Sequence, residues 1–305
     1  MNLGMSSCVI CCGVFLTAGA APPSSATAPV DSAAARALRF TDDVETHPFR
    51  FSVPGEPYLA KLRTQYQLDE VIAGTASDYE KVRAVSRWVR SRWRHNGRNQ
   101  PRRSDPISIL EEAEEGKRFR CVEYSIVGSA ALSALKIPAR VLALKTADVE
   151  TRESGAGHVV IEAFVAEFDR WIMIDGQWDV IPVLNGKPLN AVELQRALAE
   201  RAAGLGVESF SDIDPNGYFA WVEKYLFYFD VRFDQRLGHK REPGGLMLVP
   251  LGAKEPKTFQ RTSPISGMTY THSVRAFYAP PPLSGATETR PNRRAVPPTT
   301  SAPSG

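Results

Sequence analysis

Residues 116–135 read GKRFRCVEYSIVGSAALSAL, a basic loop that runs into an apolar segment with a cysteine at its start. Apolar residues fall on nearly every side of residues 121–135, so we expect a buried helix there. Ile137-Pro138 ends this helix, and residues 139–145 are predicted to form a strand. Small side chains would let a sheet approach the helix closely: Gly128, Ser129, Ala130 and Ala134.

Two more strands are predicted downstream, at residues 158–165 and 170–174. A flexible stretch, residues 154–157, introduces His158, and Asp175 closes the second strand. A turn centred between residues 166 and 167 would pair His158 directly with Asp175. A turn centred at residues 168 and 169 would leave them several residues out of register along the strand. We expect the first register, or a bulge that restores it.

These three residue types are the ones that a thiol nucleophile, its base and the orienter of that base require. Cys121 would sit where the helix dipole and free backbone N–H groups favour a thiolate. Arg120 would add to this effect and Glu123 would oppose it. His158 would pair with the thiolate and protonate the leaving amine, while Asp175 would fix the imidazole. The backbone N–H of Cys121 would form half of an oxyanion hole.

Each assignment has an alternative. The second oxyanion donor remains open among upstream side chains: Trp93, Asn96, Asn99 and Gln100. His158 could instead bond to a backbone carbonyl at a strand edge. Asp175 could be a turn residue, because Asp175-Gly176 is a pair common in hairpins. Asp179 is then the reserve candidate for orienting the histidine.

Four stretches together resemble the transglutaminase-like superfamily, a branch of the papain-like cysteine enzymes: GKRFRCVEY (116–124), IPARV (137–141), GHVVIE (157–162) and RWIMID (170–175). The similarity runs over residues 88–189. It implies an α+β papain-like core, with the cysteine helix packed on an antiparallel β-sheet. It also implies Cys121 as nucleophile, His158 as base, Asp175 as orienter, and neither a metal ion nor an organic cofactor. The family usually has an aromatic residue after the histidine, where this chain has Val159.

The leading functional hypothesis is acyl transfer through a thioester at Cys121, on a peptide or glutamine-type amide. Water as the acceptor would make a cysteine protease or amidase, and an amine would make a transglutaminase; hydrolysis is favoured slightly because water is always present. The alternative is a non-catalytic binding module that recognises a protein partner through the aromatic residues 221–233. A redox-sensing thiol is the third option. Substrates would be proteins or peptides, and the oligomeric state stays open.

Composition and length indicate a globular protein. The chain has 305 residues, 43% of them hydrophobic, and a net charge of +3, too mild to suggest a nucleic-acid partner. We expect a linker at 21–47, a catalytic domain at 48–240, a C-terminal extension at 241–283 and a disordered tail at 284–305. Outside the segments above, helices are predicted at 57–66, 78–93 and 189–202, with a short one that begins at Asp105-Pro106, and strands at 245–251 and 269–278.

Residues 1–20 are predicted to be a signal peptide, because an apolar stretch precedes Ala18-Gly19-Ala20. The protein would then be exported, to the periplasm or outside, with a lipoprotein anchor as the less favoured alternative. The stretch is too short to span a bilayer, so the mature chain would have no integral membrane segment. Cleavage would leave Cys121 as the sole thiol, which excludes an intramolecular disulfide and a multi-cysteine zinc site.

Overall fold

The computed structural model describes residues 37–240 and 242–282 of the chain. The predicted signal peptide, the linker before residue 37 and the tail at 284–305 lie outside the described residues. The helices are α1 (Pro57–Gln65), α2 (Leu68–Val71), α3 (Asp78–Ser91), α4 (Pro106–Glu114), α5 (Cys121–Ala134), α6 (Ala191–Ala199), α7 (Pro215–Val222) and α8 (Val274–Phe277). The strands are β1 (Ala139–Lys145), β2 (Gly157–Val165), β3 (Arg170–Ile174), β4 (Ile181–Leu184), β5 (Lys187–Pro188), β6 (Leu205–Glu208), β7 (Tyr228–Arg232), β8 (Gly245–Leu248), β9 (Thr258–Phe259), β10 (Ser263–Pro264) and β11 (Met268–Thr271).

The central sheet has six strands in the order β11-β8-β7-β1-β2-β3. Neighbouring strands in this sheet run antiparallel, except for β11 and β8, which are parallel. Strands β5, β4 and β6 form a small second sheet, and β9 pairs with β10. An antiparallel-rich sheet with helices packed against it confirms the predicted α+β class.

Alternation along β2 separates two hydrophobic cores. Ile161, Ala163 and Val165 pack with helices α1, α3, α4 and α5, whereas Val160 packs with α6 and α7. This is the pattern of a strand buried on both faces. Helix α5 lies so close to β2 that a Cβ atom on Gly128 would come within 2.3 Å of Ile161 Cδ1. Gly128, one of the small residues predicted to let a sheet approach the helix, therefore lies at the close contact between α5 and β2.

Most predicted elements are confirmed near their expected bounds, and β1 and β3 coincide with them. One prediction is wrong in part. Residues 269–278 were expected to be a strand, but the strand ends at Thr271 and helix α8 follows. The reason is local: the Ser273 hydroxyl accepts a hydrogen bond from the Ala276 backbone N–H at 3.0 Å and caps the helix.

Segments on both sides of the predicted catalytic domain take part in the fold. Strands β8 and β11, within the predicted extension, extend the central sheet. Residues 37–47, predicted to be linker, pack on that region: the Thr41 N–H donates to the His272 carbonyl at 2.7 Å. The Phe40 ring lies 6.3 Å from that of Phe229 on β7. None of the helices described here is both long and apolar enough to cross a membrane.

Candidate active site

Cys121 is the first residue of α5, and its side chain is half-buried and not bonded to another cysteine. The next turn of the helix is attached to β2, because the Ser125 hydroxyl donates to the Val159 carbonyl at 2.9 Å. Tyr124 is fully buried and donates to the Trp93 carbonyl at 2.8 Å, so it packs and takes no place in the cleft. These contacts hold the first turn of α5 beside the start of β2, where His158 lies.

His158 and Asp175 are joined inside the protein. The His158 Nε2–H donates to Asp175 Oδ2 at 2.7 Å, and both side chains are almost completely buried. The same carboxylate accepts bonds from the Tyr218 hydroxyl at 3.1 Å and the Gln177 backbone N–H at 3.1 Å. An aspartate with these partners is fixed in position.

The predicted strand register is wrong, although the two residues meet. Val165 pairs with Arg170, so the turn is centred between Glu167 and Phe168. Continuing this register places Asp175 opposite Val160, two residues from His158. Because side chains alternate along a strand, His158 and Asp175 still project from the same face as a diagonal pair, about 7–8 Å apart at Cα. Their side chains are long enough to close that gap.

Asp175 also opens a turn, as its alternative interpretation required. The Trp178 N–H donates to the Asp175 carbonyl at 3.1 Å, and Asp175 and Val180 exchange two backbone hydrogen bonds. Backbone and side chain thus serve different purposes at one residue. Asp179, the reserve candidate, is engaged elsewhere: its carboxylate accepts from the Ser86 hydroxyl at 2.7 Å and the Phe210 N–H at 3.0 Å.

The imidazole is held in its charged form by its neighbours. Burial alone would lower the pKa of His158, but the charge and hydrogen bond of Asp175 outweigh burial, and Cys121 contributes in the same direction. Together they raise the pKa of His158 to about 10. Nε2 faces Asp175, so Nδ1 is the nitrogen left for the Cys121 thiol. An imidazolium beside a cysteine stabilises the thiolate.

Arg120 contributes less to the cysteine than the sequence suggests. Its guanidinium donates to Glu123 Oε1 at 2.6 Å, and its backbone N–H donates to Glu123 Oε2 at 3.0 Å. The charges of Arg120 and the fully buried Glu123 therefore largely cancel. The remaining local influences on Cys121 are the end of the helix and His158.

Cys121 and His158 open into a cleft of about 840 Å³. Several lining residues were missed by the sequence analysis: His95, Gln177, Trp178, Trp221, Tyr225 and Phe259. The Trp221 ring meets the imidazole edge to face, with centroids 4.8 Å apart. Gln177 is 7% exposed. Among these, Gln177 carried a local sequence signal, its position two residues after Asp175, and Trp221 and Tyr225 lie in the aromatic segment 221–233 that the alternative hypothesis named.

The predicted oxyanion side chains do not line this cleft. Trp93 is buried against Phe119 and Tyr124, with its indole N–H unpaired among described residues. Asn96 Oδ1 accepts the backbone N–H groups of residues 98 and 99 and so holds its own loop. From the predicted region, His95 and Gly97 line the cleft, and Gln100 does not.

Burial, together with the charge of His158, lowers the pKa of His95, which favours a neutral ring in the cleft. In the part of the chain that the structure describes, no three His, Cys, Asp or Glu side chains are grouped so as to hold a metal ion.

Residues 66–176 match the model of the transglutaminase-like superfamily. The resemblance inferred from the sequence is thereby confirmed, and these residues form a transglutaminase-like domain. The match contains Cys121, His158 and Asp175 and begins upstream of the predicted start at residue 88. It ends at Gly176, whereas the predicted similarity ran on to residue 189.

Several solved structures are similar to parts of the chain. One is a candidate cysteine protease from Cytophaga hutchinsonii, with 17% identity over 53% of this chain and 56% of that chain, at a TM-score of 0.33. Another is a candidate protease from Parabacteroides distasonis, with 16% identity over 37% and 25%, at a TM-score of 0.28. A third is a TGase with 21% identity over 39% and 30%, at a TM-score of 0.28.

The chain therefore spans little more than half of the first of these structures, and smaller shares of the other two. No curated protein sequence matches the chain.

Proposed function

We propose that the protein is a thiol-dependent acyl-transfer enzyme that acts on a peptide or glutamine-type amide. Cys121 is the nucleophile, His158 the acid and base, and Asp175 the residue that orients the imidazole. The observation that supports the proposal is the buried 2.7 Å hydrogen bond between His158 and Asp175, beside the half-buried Cys121 that begins a helix. A nucleophile, a base and an orienter in contact are the signature of this chemistry.

The reaction begins with the thiolate and imidazolium paired. The Cys121 sulfur attacks the amide carbon, and the carbonyl oxygen takes the negative charge of a tetrahedral intermediate. The backbone N–H of Cys121, which has no acceptor within the helix, can bind this oxyanion. His158 donates its Nδ1 proton to the leaving nitrogen as the carbon–nitrogen bond breaks. The products of this step are a thioester on Cys121, a free amine and a neutral imidazole.

The second step returns the enzyme to its starting state. His158 accepts a proton from water, the hydroxide attacks the thioester carbon, and the acid and the thiolate are released. We favour water over an amine as the acceptor, so the protein is proposed to be a protease or amidase. If residues 1–20 direct export as proposed, the substrates are peptides outside the cytoplasm.

The alternative, a non-catalytic binding module, would need residues 221–233 as a surface. Within this segment, Tyr225, Phe229 and Val231 are buried in the second core, and Trp221 is only half-buried. Phe229 is therefore used for packing, while Trp221 and Tyr225 line the cleft of Cys121, which favours the catalytic proposal.

The reactivity of Cys121 tests the proposal. We expect iodoacetamide to alkylate Cys121 at pH 6, well below the range near pH 8.5 where a free thiol ionises. In a His158→Ala variant the imidazolium is gone, and alkylation at pH 6 should fall at least about tenfold. The rate is followed by mass spectrometry of the peptide that contains Cys121, which separates it from Cys8, Cys11 and Cys12. A Cys121→Ala variant supplies the blank.

Equal reaction of both proteins, with ordinary thiol behaviour across the pH range, would refute the activated pair. If the pair is present, glutaminyl and peptide amides are then incubated with and without a primary amine. Release of acid and ammonia or peptide identifies a hydrolase, and incorporation of the amine identifies a transglutaminase.

A further inference from the structure

Four aromatic side chains line the cleft that contains Cys121 and His158: Trp178, Trp221, Tyr225 and Phe259. They come from the turn after β3, from the end of α7 and the residues after it, and from β9. The rings of Trp178, Trp221 and Tyr225 form a continuous series of edge contacts, and Phe259 lines the same cleft. The Trp221 centroid lies 5.5 Å from that of Trp178 and 5.4 Å from that of Tyr225. We call this set the aromatic wall.

Phe259 is fixed in the wall by the loop that leads to His158. A Cβ atom on Gly157 would lie 3.1 Å from Phe259 Cε2 and 3.2 Å from the Leu144 carbonyl oxygen, so the ring and the backbone are in close contact. The next residue, Gln260, accepts the Ala156 N–H at 3.0 Å through its side chain. The predicted C-terminal extension therefore supplies an anchored part of the candidate active site.

The charged groups of the cleft are compensated within the protein. Arg120 is paired with Glu123, and Lys145 is paired with Asp230. Apart from His158, which Asp175 balances, and the reacting Cys121 thiolate, these are the charged groups that line the cleft, and burial lowers the pKa of Lys145 to about 7. A carboxylate of the substrate placed there would lose water without gaining a free counter-ion. An aromatic group would gain burial and edge contacts with the rings.

We propose that the aromatic wall is a substrate subsite, and that it binds an aromatic side chain of the acyl donor beside the carbonyl that Cys121 attacks. Phe259 is the specificity-determining residue. The volume of the cleft, about 840 Å³, is large enough for such a side chain together with the flanking peptide. This inference rests on the proposed function, since it assigns the substrate class of the same site.

The test compares three reagents that alkylate the same sulfur: iodoacetamide, its N-benzyl derivative and its N-carboxymethyl derivative. In the wild-type protein we expect the benzyl reagent to modify Cys121 about tenfold faster than iodoacetamide, because its ring is buried against the wall. The carboxymethyl reagent should gain nothing. The benzyl-to-iodoacetamide ratio of rate constants is taken within each protein, which removes differences in the intrinsic reactivity of the thiol.

A Phe259→Ala variant should bring the ratio close to one, and Phe259→Leu, which keeps more apolar volume beside Gly157, should give an intermediate ratio. Phe168→Ala is the matched control, because Phe168 is an exposed aromatic residue that does not line the cleft, and this variant should keep the wild-type ratio. Thermal unfolding identifies any variant that is not folded. Phe259→Leu then carries the test if Phe259→Ala fails to fold.

A ratio near one in the wild-type protein, a preference for the carboxymethyl reagent, or an unchanged ratio in both Phe259 variants would overturn the inference. The proposed function fails in a different way. It fails when iodoacetamide itself reacts with Cys121 like a free thiol and His158→Ala changes nothing, whatever the ratio of the two reagents.

Discussion

At the scale of single residues, Asp175 determines the charge of the histidine. Three hydrogen bonds converge on its carboxylate, from His158, Tyr218 and the backbone of Gln177. The result is a histidine with a pKa of about 10 in place of its ordinary 6.5. Because the folded value is the higher one, the pair stabilises the native state fully below pH 6.5. That stability is lost as the pH rises through about 10.

We therefore predict that His158 remains an imidazolium at pH 7.5 and becomes neutral in an Asp175→Asn variant. Without the carboxylate charge, burial dominates and should bring the pKa of His158 below its ordinary 6.5. The ¹⁵N chemical shifts of the ring nitrogens, followed from pH 5 to 11, measure the change directly. Alkylation of Cys121 at pH 6 should slow in the same variant.

The Tyr218→Phe variant is the control, because it removes one hydrogen bond to Asp175 and keeps the carboxylate. Its His158 should still titrate well above 6.5, with a smaller decrease than in Asp175→Asn. A wild-type His158 that titrates near 6.5 would contradict the prediction, and with it the paired thiolate and imidazolium of the proposed mechanism.

At the scale of secondary-structure elements, the central sheet and the cysteine helix were predictable, because each has a strong local pattern. The long apolar run of α5 indicates a buried helix, and the short apolar runs of β1, β2 and β3 indicate strands. The register was not predictable. A single turn of 3₁₀ helix at Ala166–Phe168, followed by Asp169 in a left-handed conformation, shifts the pairing of β2 and β3. No residue in that turn distinguishes it from a tighter one.

The contact between α5 and β2 gives a prediction about packing. Gly128→Ala would normally stabilise a helix by up to about 1 kcal/mol. Here the new methyl group would meet Ile161 Cδ1 at 2.3 Å in a core where Ile161 is fully buried. We expect Gly128→Ala to lower the free energy of unfolding by about 1–3 kcal/mol, measured by urea denaturation.

The matched background for this test is Ile161→Val, which removes the Cδ1 atom itself. In that background Gly128→Ala should cost much less than in the wild type, or stabilise the protein. Equal effects of Gly128→Ala in both backgrounds would show that the contact with Ile161 does not set the spacing of helix and sheet.

At the scale of the whole molecule, the residues that complete the site come from distant parts of the sequence. The elements that carry Cys121, His158 and Asp175 could be predicted because each of these residues begins or closes a segment with a clear pattern. Phe259 could not, because it reaches the cleft through a two-stranded segment of weak local pattern, about 100 residues after His158. The predicted oxyanion side chains depended in the same way on a loop whose direction no sequence pattern specifies.

Contacts between distant parts of the sequence also explain the role of Arg140 in the Ile-Pro-Ala-Arg stretch. Arg140 on β1 and Glu162 on β2 form an ion pair that is 1% and 0% exposed, with an Nη2–Oε2 distance of 2.7 Å. Arg140 Nη1 also donates to the Phe277 carbonyl at 2.9 Å, and the Tyr278 hydroxyl donates to Glu162 Oε1 at 2.9 Å. The pair thus attaches helix α8 to β2, the strand that carries His158.

We predict that Glu162→Gln is one of the most destabilising single changes in this sheet, because it leaves the buried guanidinium without a counter-charge. The expected loss in the free energy of unfolding is about 3–5 kcal/mol. The same chemical change at an exposed pair, Glu255→Gln beside Lys257, should cost no more than about 1 kcal/mol. A double variant with Arg140→Met and Glu162→Leu removes both charges and should recover much of the loss. If Glu162→Gln and Glu255→Gln lower the free energy of unfolding equally in urea denaturation, the buried pair does not hold helix α8 to the sheet.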